Sequence, residues 1–357
     1  MNHCMTTHAP EKIAFIFPGQ GSQTVGMGRE LANMYPVAQQ TFEQADAALG
    51  FKLSEVCWEG PEDKLRLTEI TQPAILTVSV AAYRVLREKG IAPTITAGHS
   101  LGEYSAHVAA GTLEFRDAVR TVHHRGRYMQ EAVPVGEGAM AAVLGMAVDQ
   151  LRQVCIEAVA AMVTQRDGNY TDTTLDEMLT AIGAGTFASA FVRGINCQPA
   201  NINSPDQIVI SGSKAAVERA AELAKHRGAK RAIMLPVSAP FHSALMQPAQ
   251  DRLAPDLKAL NFHGMRVPVV TNVDAEVVSE PEKARQALIR QVTGAVRWEQ
   301  CMRVLIERGI STFIEVGPGK VLCGLLRQFD RSKTCLTVED EASLQKVVNH
   351  FAGAEVG

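Results

Sequence analysis

Aromatic side chains are scarce: Phe, Trp and Tyr make up only 5% of the 357 residues. The core must therefore be built from Ala, Val, Ile and Leu, which favours closely packed helix-on-sheet layers. An excess of charge of one sign is also missing. Against 35 basic side chains stand 38 acidic ones, a formal net charge of −3, whereas a chain whose main task is gripping nucleic acid carries a basic excess. No apolar run reaches the ~18–20 residues that span a bilayer. The most apolar stretch, residues 73–80, leads into Tyr83, Arg84 and Arg87 and reads as a buried helix. The opening residues, MNHCMTTHAP, have neither a basic n-region nor an apolar h-region. No secretory signal is expected from them, and a cytoplasmic location is. The seven cysteines, Cys4, Cys57, Cys155, Cys197, Cys301, Cys323 and Cys335, form no C-x-x-C pair. Their scatter and odd number argue against a zinc site, against a disulfide framework and for a reducing compartment. What is present, 46% hydrophobic and 20% charged residues, is globular composition and excludes a disordered, collagen-like or fibrous chain. The length allows one large or two small domains.

Short apolar runs bounded by Gly or Pro alternate with helical patterns. Residues 13–17 end in Pro18-Gly19-Gln20-Gly21-Ser22, 94–97 in Gly98-His99-Ser100-Leu101-Gly102, 267–271 in Asn272-Val273-Asp274, and 312–316 in Gly317-Pro318-Gly319 before a helix over 320–328. Strands alternating with helices predict an α/β fold, a mainly parallel sheet covered on both faces. Ligands then bind beyond the carboxyl ends of the strands. The middle of the chain differs: strand 139–144, helix 147–162, strand 207–211, helix 214–227 and strand 231–237 read as a small α+β unit inserted into the larger one. Residues 164–189 are polar and rich in Thr and Gly, and read as a surface excursion with a weak helix over 175–182.

The sharpest motif is Gly98-His99-Ser100-Leu101-Gly102, a G-x-S-x-G between a predicted strand and a predicted helix over 101–110. Such a turn exposes the Ser100 hydroxyl, aims the Leu101 N–H at a reacting carbonyl and adds the positive end of a helix dipole. A serine nucleophile needs a base. Of the ten histidines, His99 is too close in the chain, His107 lies two turns along the same helix, and His123 and His124 sit in a basic helix that reads as surface. His242, in a loop over 238–243 after a strand, is the best candidate. The α/β-hydrolase pattern also demands an HGGG-type oxyanion loop, and none exists. Residues 17–23, FPGQGSQ, instead offer a backbone amide to complete an oxyanion hole with Leu101. As a phosphate loop that G-x-G lacks both the third glycine and the G-K-S/T that binding would need.

With these motifs in place, the chain resembles the malonyl-CoA:acyl-carrier-protein transacylases, the acyltransferase family of fatty-acid and polyketide synthesis. The motifs match in order: FPGQGSQ at 17–23, GHSLGEY at 98–104, Arg125-Gly126 ahead of Met129-Gln130, Asn201-Ile202-Asn203-Ser204-Pro205, PFHSALM at 240–246 and Glu315-Val316-Gly317-Pro318-Gly319. The likeness runs from about residue 12 to about residue 336. It implies a large hydrolase-like domain (11–137 and 238–345) and a small ferredoxin-like subdomain (138–237). It implies Ser100 as acyl acceptor, His242 as base and then acid, and a main-chain carbonyl at Gln291 orienting that histidine. It further implies an oxyanion hole from Gln20 and Leu101, Arg125 gripping the malonyl carboxylate, and Asn201 supporting the site by hydrogen bonding. Phe241 fits the malonyl-selective variants, where a bulky aromatic narrows the pocket against an α-methyl group. No metal or bound cofactor is implied; malonyl-CoA is substrate, acyl carrier protein is partner, and a monomer is expected.

Carrier proteins of this type are acidic, so a basic face is expected: Lys225, Arg227, Lys230 and Arg231, or Arg116, Arg120, Arg125 and Arg127. The small unit departs from the family norm by extra residues around 163–189. A hydrolase clearing acyl groups from carrier proteins and a non-catalytic carrier-binding module are the competing readings. Arg125 speaks against the first, and intact Ser100, His242 and Gln20 against the second. Service to fatty-acid synthesis or in trans to a polyketide assembly line stays open.

Overall fold

The computed structural model describes residues 12–167, 195–237 and 239–354. The described residues include ten strands: β1 (Ile13–Phe17), β2 (Ile95–Gly98), β3 (Gly138–Leu144), β4 (Cys197–Ser204), β5 (Gln207–Ser213), β6 (Arg231–Met234), β7 (Val269–Val270), β8 (Val277–Val278), β9 (Thr312–Val316) and β10 (Thr334–Val338). They form two sheets, one of order β10-β9-β1-β2-β7-β8 and one of order β4-β5-β3-β6.

The first sheet is parallel from β10 to β7, with β8 returning antiparallel. Every residue of β1 is buried, as a strand covered on both faces requires. Side chains alternate between the faces. Ile13, Phe15 and Phe17 join one apolar cluster, which includes the buried helix Thr68–Glu88; Ala14 and Ile16 join another, around Trp298, Met302 and Phe313. The parallel register sets Phe17 beside Gly98. The loops leaving β1 and β2 therefore emerge together, and His99 N–H donates to the Phe17 carbonyl at 2.9 Å.

The second sheet is antiparallel throughout. Ala139, Ala141 and Val143 of β3 face the helices Val148–Asp167 and Lys214–His226. Met140 and Ala142 face the other way, with Val209, Leu235 and Phe241. The sequence pattern missed β4. Its polar, proline-bearing CQPANINS lacks the alternation of a half-buried strand, and its pairing with β5 shifts register at Pro199/Asn201 and Ile202/Ser204. Proline is tolerated because β4 is an edge strand. That edge also reaches outward: Val296 N–H donates to the Ala200 carbonyl and Ile202 N–H to the Val296 carbonyl, at 2.8 and 2.9 Å.

The expectation against disulfides is corrected. Cys323 and Cys335 are bonded, their Cα atoms 5.5 Å apart. The helix Val321–Phe329 leads straight back into β10 beside β9, a return that linear spacing does not reveal. The other described cysteines, Cys57, Cys155, Cys197 and Cys301, are free and buried. Among the described residues no helix is long and apolar enough to cross a membrane. The helix expected over 175–182 and the 163–189 insertion lie outside the described residues, apart from 163–167, which extend the helix Val148–Asp167.

Gly102 shows how tightly the strand ends are joined. A Cβ there would lie 2.1 Å from the Phe17 carbonyl oxygen, a backbone atom that cannot give way cheaply. Gly102→Ala is expected to cost about 3 kcal/mol, read as a lower urea midpoint at unchanged slope. A variant within about 0.5 kcal/mol of the parent, the ordinary range for a surface change, would refute this account of the packing.

Candidate active site

Ser100 stands at the tip of the turn between β2 and the helix Gly102–Ala110 with φ 52°, and His242 has φ 57°. Both are in the left-handed region that non-glycine residues rarely occupy and that clusters at functional sites. Asn272, at the end of the β7 strand, holds the serine turn: its Oδ1 accepts from Ser100 N–H and its Nδ2 donates to the Gly98 carbonyl, both at 2.7 Å. A Cβ on Gly98 would lie 1.9 Å from the Gly102 backbone, so glycine is obligatory there.

Ser100 Oγ and His242 Nε2 are 2.7 Å apart across 142 residues of sequence. On the other side of the ring, Nδ1 faces the carbonyls of Gln291 and Gly294 at 2.9 and 3.1 Å. Carbonyls only accept, so Nδ1 carries the hydrogen and Nε2 offers its lone pair to the serine hydroxyl. Gln198 Nε2 donates to the His242 carbonyl at 3.2 Å and braces the loop. Burial, and then the charge of Arg125, lower the His242 pKa to about 3. The imidazole is thus neutral, and able to take the serine proton, throughout the neutral range.

Arg125, on the helix Phe115–Glu131, is 1% exposed. This corrects its placement in a basic surface cluster. It donates to Gln72 Oε1 at 2.8 Å, Gln291 Oε1 at 3.0 Å and Ser100 Oγ at 3.2 Å. All three acceptors are neutral, and among the described residues no carboxylate lies within ion-pair distance of it. Burial lowers its pKa, opposed by Tyr104 and Glu103. The site therefore holds a cation with no carboxylate in direct contact, beside the Ser100 hydroxyl.

A cavity of about 250 Å³ opens over these groups. Gln20, Ser100, Leu101, Arg125, Asn201, Phe241 and His242 all border it, with Met140 and Val209 of the small sheet and Leu235 and Val237 of the segment after β6. Among the described residues neither the Gln20 nor the Leu101 backbone N–H has a protein acceptor. On β4, Asn201 lines the cavity while Asn203 Oδ1 bonds His99 Nε2 at 2.8 Å. His107 is buried on the core side. His123 and His124, expected at the surface, are partly buried and bonded to the Glu69 carbonyl and Asp256 at 2.8 and 2.9 Å. Away from the cavity, Arg227 is held by Glu157 and Arg120 by Asp117. Gln72, Asn272, Gln198 and Glu103 were not singled out from sequence. Asn272 carried the one usable signal, its place at a strand end. Among the described residues no three His, Cys, Asp or Glu side chains converge to hold a metal ion.

A serine hydroxyl paired with a carbonyl-oriented imidazole, free backbone amides beside it and a helix N-terminus behind it, on an α/β scaffold, define an enzyme that carries acyl groups on serine. The comparisons with known proteins narrow the class. The acyl transferase domain family matches residues 14–192 and 194–349, and the chain belongs to that family. It is 47% identical over 337 residues to the malonyl CoA-acyl carrier protein transacylase of Bacillus subtilis, covering 94% of this chain and 96% of that protein. Identity to the Escherichia coli K12 protein of the same name is 43% over 334 residues, 93% of this chain and 97% of that one. Among solved structures, the malonyl CoA-acyl carrier protein transacylase of Coxiella burnetii superposes with a TM-score of 0.84 at 41% identity, covering 95% of this chain and 98% of that one. A malonyl-transacylase in complex with its type II PKS acyl-carrier protein gives the same TM-score and identity, covering 95% of this chain and 100% of that one.

A histidine with a lowered pKa is neutral above that value and protonated below it. The second-order rate of Ser100 acylation, which reports the free enzyme, is therefore expected to stay level from pH 8 down to about pH 5, with no acid limb near the ordinary histidine value of about 6.5. A stopped-flow profile that halves near pH 6.5 would contradict the burial argument for His242.

Proposed function

We propose that this chain transfers the malonyl group from malonyl-CoA to the phosphopantetheine thiol of acyl carrier protein, by way of a malonyl ester on Ser100. The observation that carries the reading is Arg125: a buried guanidinium, 3.2 Å from the serine oxygen, with only neutral partners. A malonyl thioester keeps one ionised carboxylate. The planar guanidinium matches it with two parallel hydrogen bonds and stays charged at any relevant pH. An acetyl group would leave the arginine uncompensated. The names of the relatives support the same substrate pair.

In the first half-reaction His242 Nε2 takes the Ser100 proton as Oγ attacks the thioester carbonyl. The N–H groups of Gln20 and Leu101 hold the oxyanion, the carbon–sulfur bond breaks, and the imidazolium returns its proton to the CoA thiolate. In the second half-reaction the carrier thiol gives its proton to Nε2 and attacks the ester carbonyl, the bond to Ser100 Oγ breaks, the imidazolium returns the proton to Oγ, and the carrier leaves as the malonyl thioester. The carbonyls of Gln291 and Gly294 stabilise the transient imidazolium in place of a carboxylate. Phe241 narrows the acyl end of the cavity, and Asn201 lines it. The domain limits 11–137 with 238–345, and 138–237, belong to this reading. With Arg227 committed to Glu157, carrier docking in that cluster falls to Lys225, Lys230 and Arg231.

Brief mixing with malonyl-CoA is expected to add one malonyl group to the intact protein, absent in Ser100→Ala, and carrier protein is expected to discharge it with the mass appearing on the carrier. Arg125→Ala should lower kcat/KM for malonyl-CoA by about 10²–10³-fold, the scale of a broken buried ion pair, without a matching loss for acetyl-CoA. An adduct that vanishes in buffer alone identifies a hydrolase instead.

A further inference from the structure

Among the buried ionisable groups that the catalytic scheme leaves unused, Glu103 lies nearest in sequence to Ser100. Glu103, in the first turn of the helix behind Ser100, is 0% exposed. Its Oε2 accepts from Asn272 N–H at 2.9 Å and from Gln291 Nε2 at 2.7 Å. The other oxygen has no hydrogen-bond partner among the described residues, and His107 Nε2 stands 3.9 Å from it. Burying a carboxylate this way is costly, so the two bonds it accepts need a reason.

The reason lies in the amide of Gln291. Its Nε2 also donates to the Ser100 carbonyl at 2.9 Å, while its Oε1 accepts from Arg125 at 3.0 Å. An amide has two hydrogens and one oxygen, and a 180° flip exchanges them. Flipped, Gln291 would aim N–H at the guanidinium, donor against donor, and its oxygen at three acceptors: the Ser100 carbonyl, Glu103 and Asn272 Oδ1. Without Glu103 the Ser100 carbonyl and, at 3.3 Å, Asn272 Oδ1 oppose this flip; Glu103 adds the shortest of the three contacts, from a carboxyl oxygen. On the neighbouring strand end, the bond from Asn272 N–H fixes the residue whose side chain holds the serine turn. Burial raises the Glu103 pKa to about 7. Either protonation state leaves Oε2 an acceptor, because the free oxygen can take the proton.

We infer that Glu103 is a positioning residue for malonyl selectivity: it orients the Gln291 amide, which in turn fixes Arg125 beside Ser100. This rests on the malonyl-transfer reading above. Because it acts through an acceptor atom, its conservative replacement behaves differently from its removal. In Glu103→Gln the amide oxygen can accept both bonds while the nitrogen takes the unpartnered place. In Glu103→Ala nothing accepts them.

The test is the ratio of kcat/KM for malonyl-CoA to that for acetyl-CoA, with serine acylation counted by intact mass so that only folded, active enzyme enters. Misfolding lowers both rates alike and leaves the ratio unmoved. Glu103→Ala is expected to lower the ratio about tenfold, the scale of one hydrogen bond to a charged group. Glu103→Gln is expected to stay within about threefold of the parent. Gln291→Leu removes the oriented amide with Glu103 intact, and is expected to lose the ratio as Glu103→Ala does. An unchanged ratio in Glu103→Ala, or in Gln291→Leu should Glu103→Ala not fold, overturns the inference. So does a Glu103→Gln variant as damaged as Glu103→Ala. A parent enzyme that forms no malonyl-serine refutes the transfer reading, a separate outcome seen before any variant is made.

Discussion

A buried guanidinium must be given acceptors, and Arg125 draws them from three distant parts of the chain: Ser100, 25 residues away, Gln72, 53 away, and Gln291, 166 away. Their meeting point fixes how three helices pack. Gln72 is a polar residue in a long, largely buried helix, 2% exposed. Gln291 ends the helix Pro281–Gln291, and its side chain and main chain serve different groups. The amide holds Arg125 and the serine turn, and the carbonyl holds His242. A carboxylate in place of either glutamine would neutralise the cation and close the site to an anionic acyl group. Neutral dipoles keep it in place and leave its charge available.

The second constraint is strain. Ser100 and His242 both sit in left-handed backbone, which costs on the order of 1–3 kcal/mol each and persists only where the surroundings over-determine it. For Ser100 the surroundings are the joined ends of β1 and β2, the side chain of Asn272 and the glycines at 98 and 102. For His242 they are the carbonyls of Gln291 and Gly294 at the ring and Gln198 at the backbone. None of these supports is a flexible surface side chain. The 2.7 Å approach of Oγ and Nε2 is thus a property of the folded frame.

What could be read from the sequence follows from range. Glycines around Ser100 and in the β1 loop are demanded by atoms a few residues away, so the motif announces itself. The apolar run of β1 announces a doubly covered strand for the same reason. Gln72 and Glu103 answer to groups far along the chain, and nothing in their neighbours distinguishes them from a stray polar residue on a buried helix. β4 was hidden because its ladder is broken by register shifts and Pro199. The Cys323–Cys335 bond was hidden because spacing does not report that a helix folds back onto its strand. Arg125 looked like its solvated neighbours Arg120 and Arg127 until the helix face was known. The role proposed for it follows from the resemblance to the acyltransferase family, and its burial among neutral partners supports that reading.

The small sheet links orientation of the base to exclusion of water. Its free face supplies Met140 and Val209 to the cavity and the segment after β6 adds Leu235 and Val237, apolar side chains that leave water few partners near the acyl group. The same sheet is fastened to the larger body through β4, where Ala200 and Ile202 bond both sides of Val296. Val296 lies two residues beyond Gly294, whose carbonyl helps to hold the His242 ring. Moving the lid therefore moves the peptide that orients the base. In the proposed reaction an acyl ester must wait for a carrier thiol, and it survives only while water is kept from an activating imidazole. In this architecture the contact that shuts water out also keeps the imidazole aligned, so loosening the lid exposes the ester to water and misaligns the base that would activate that water.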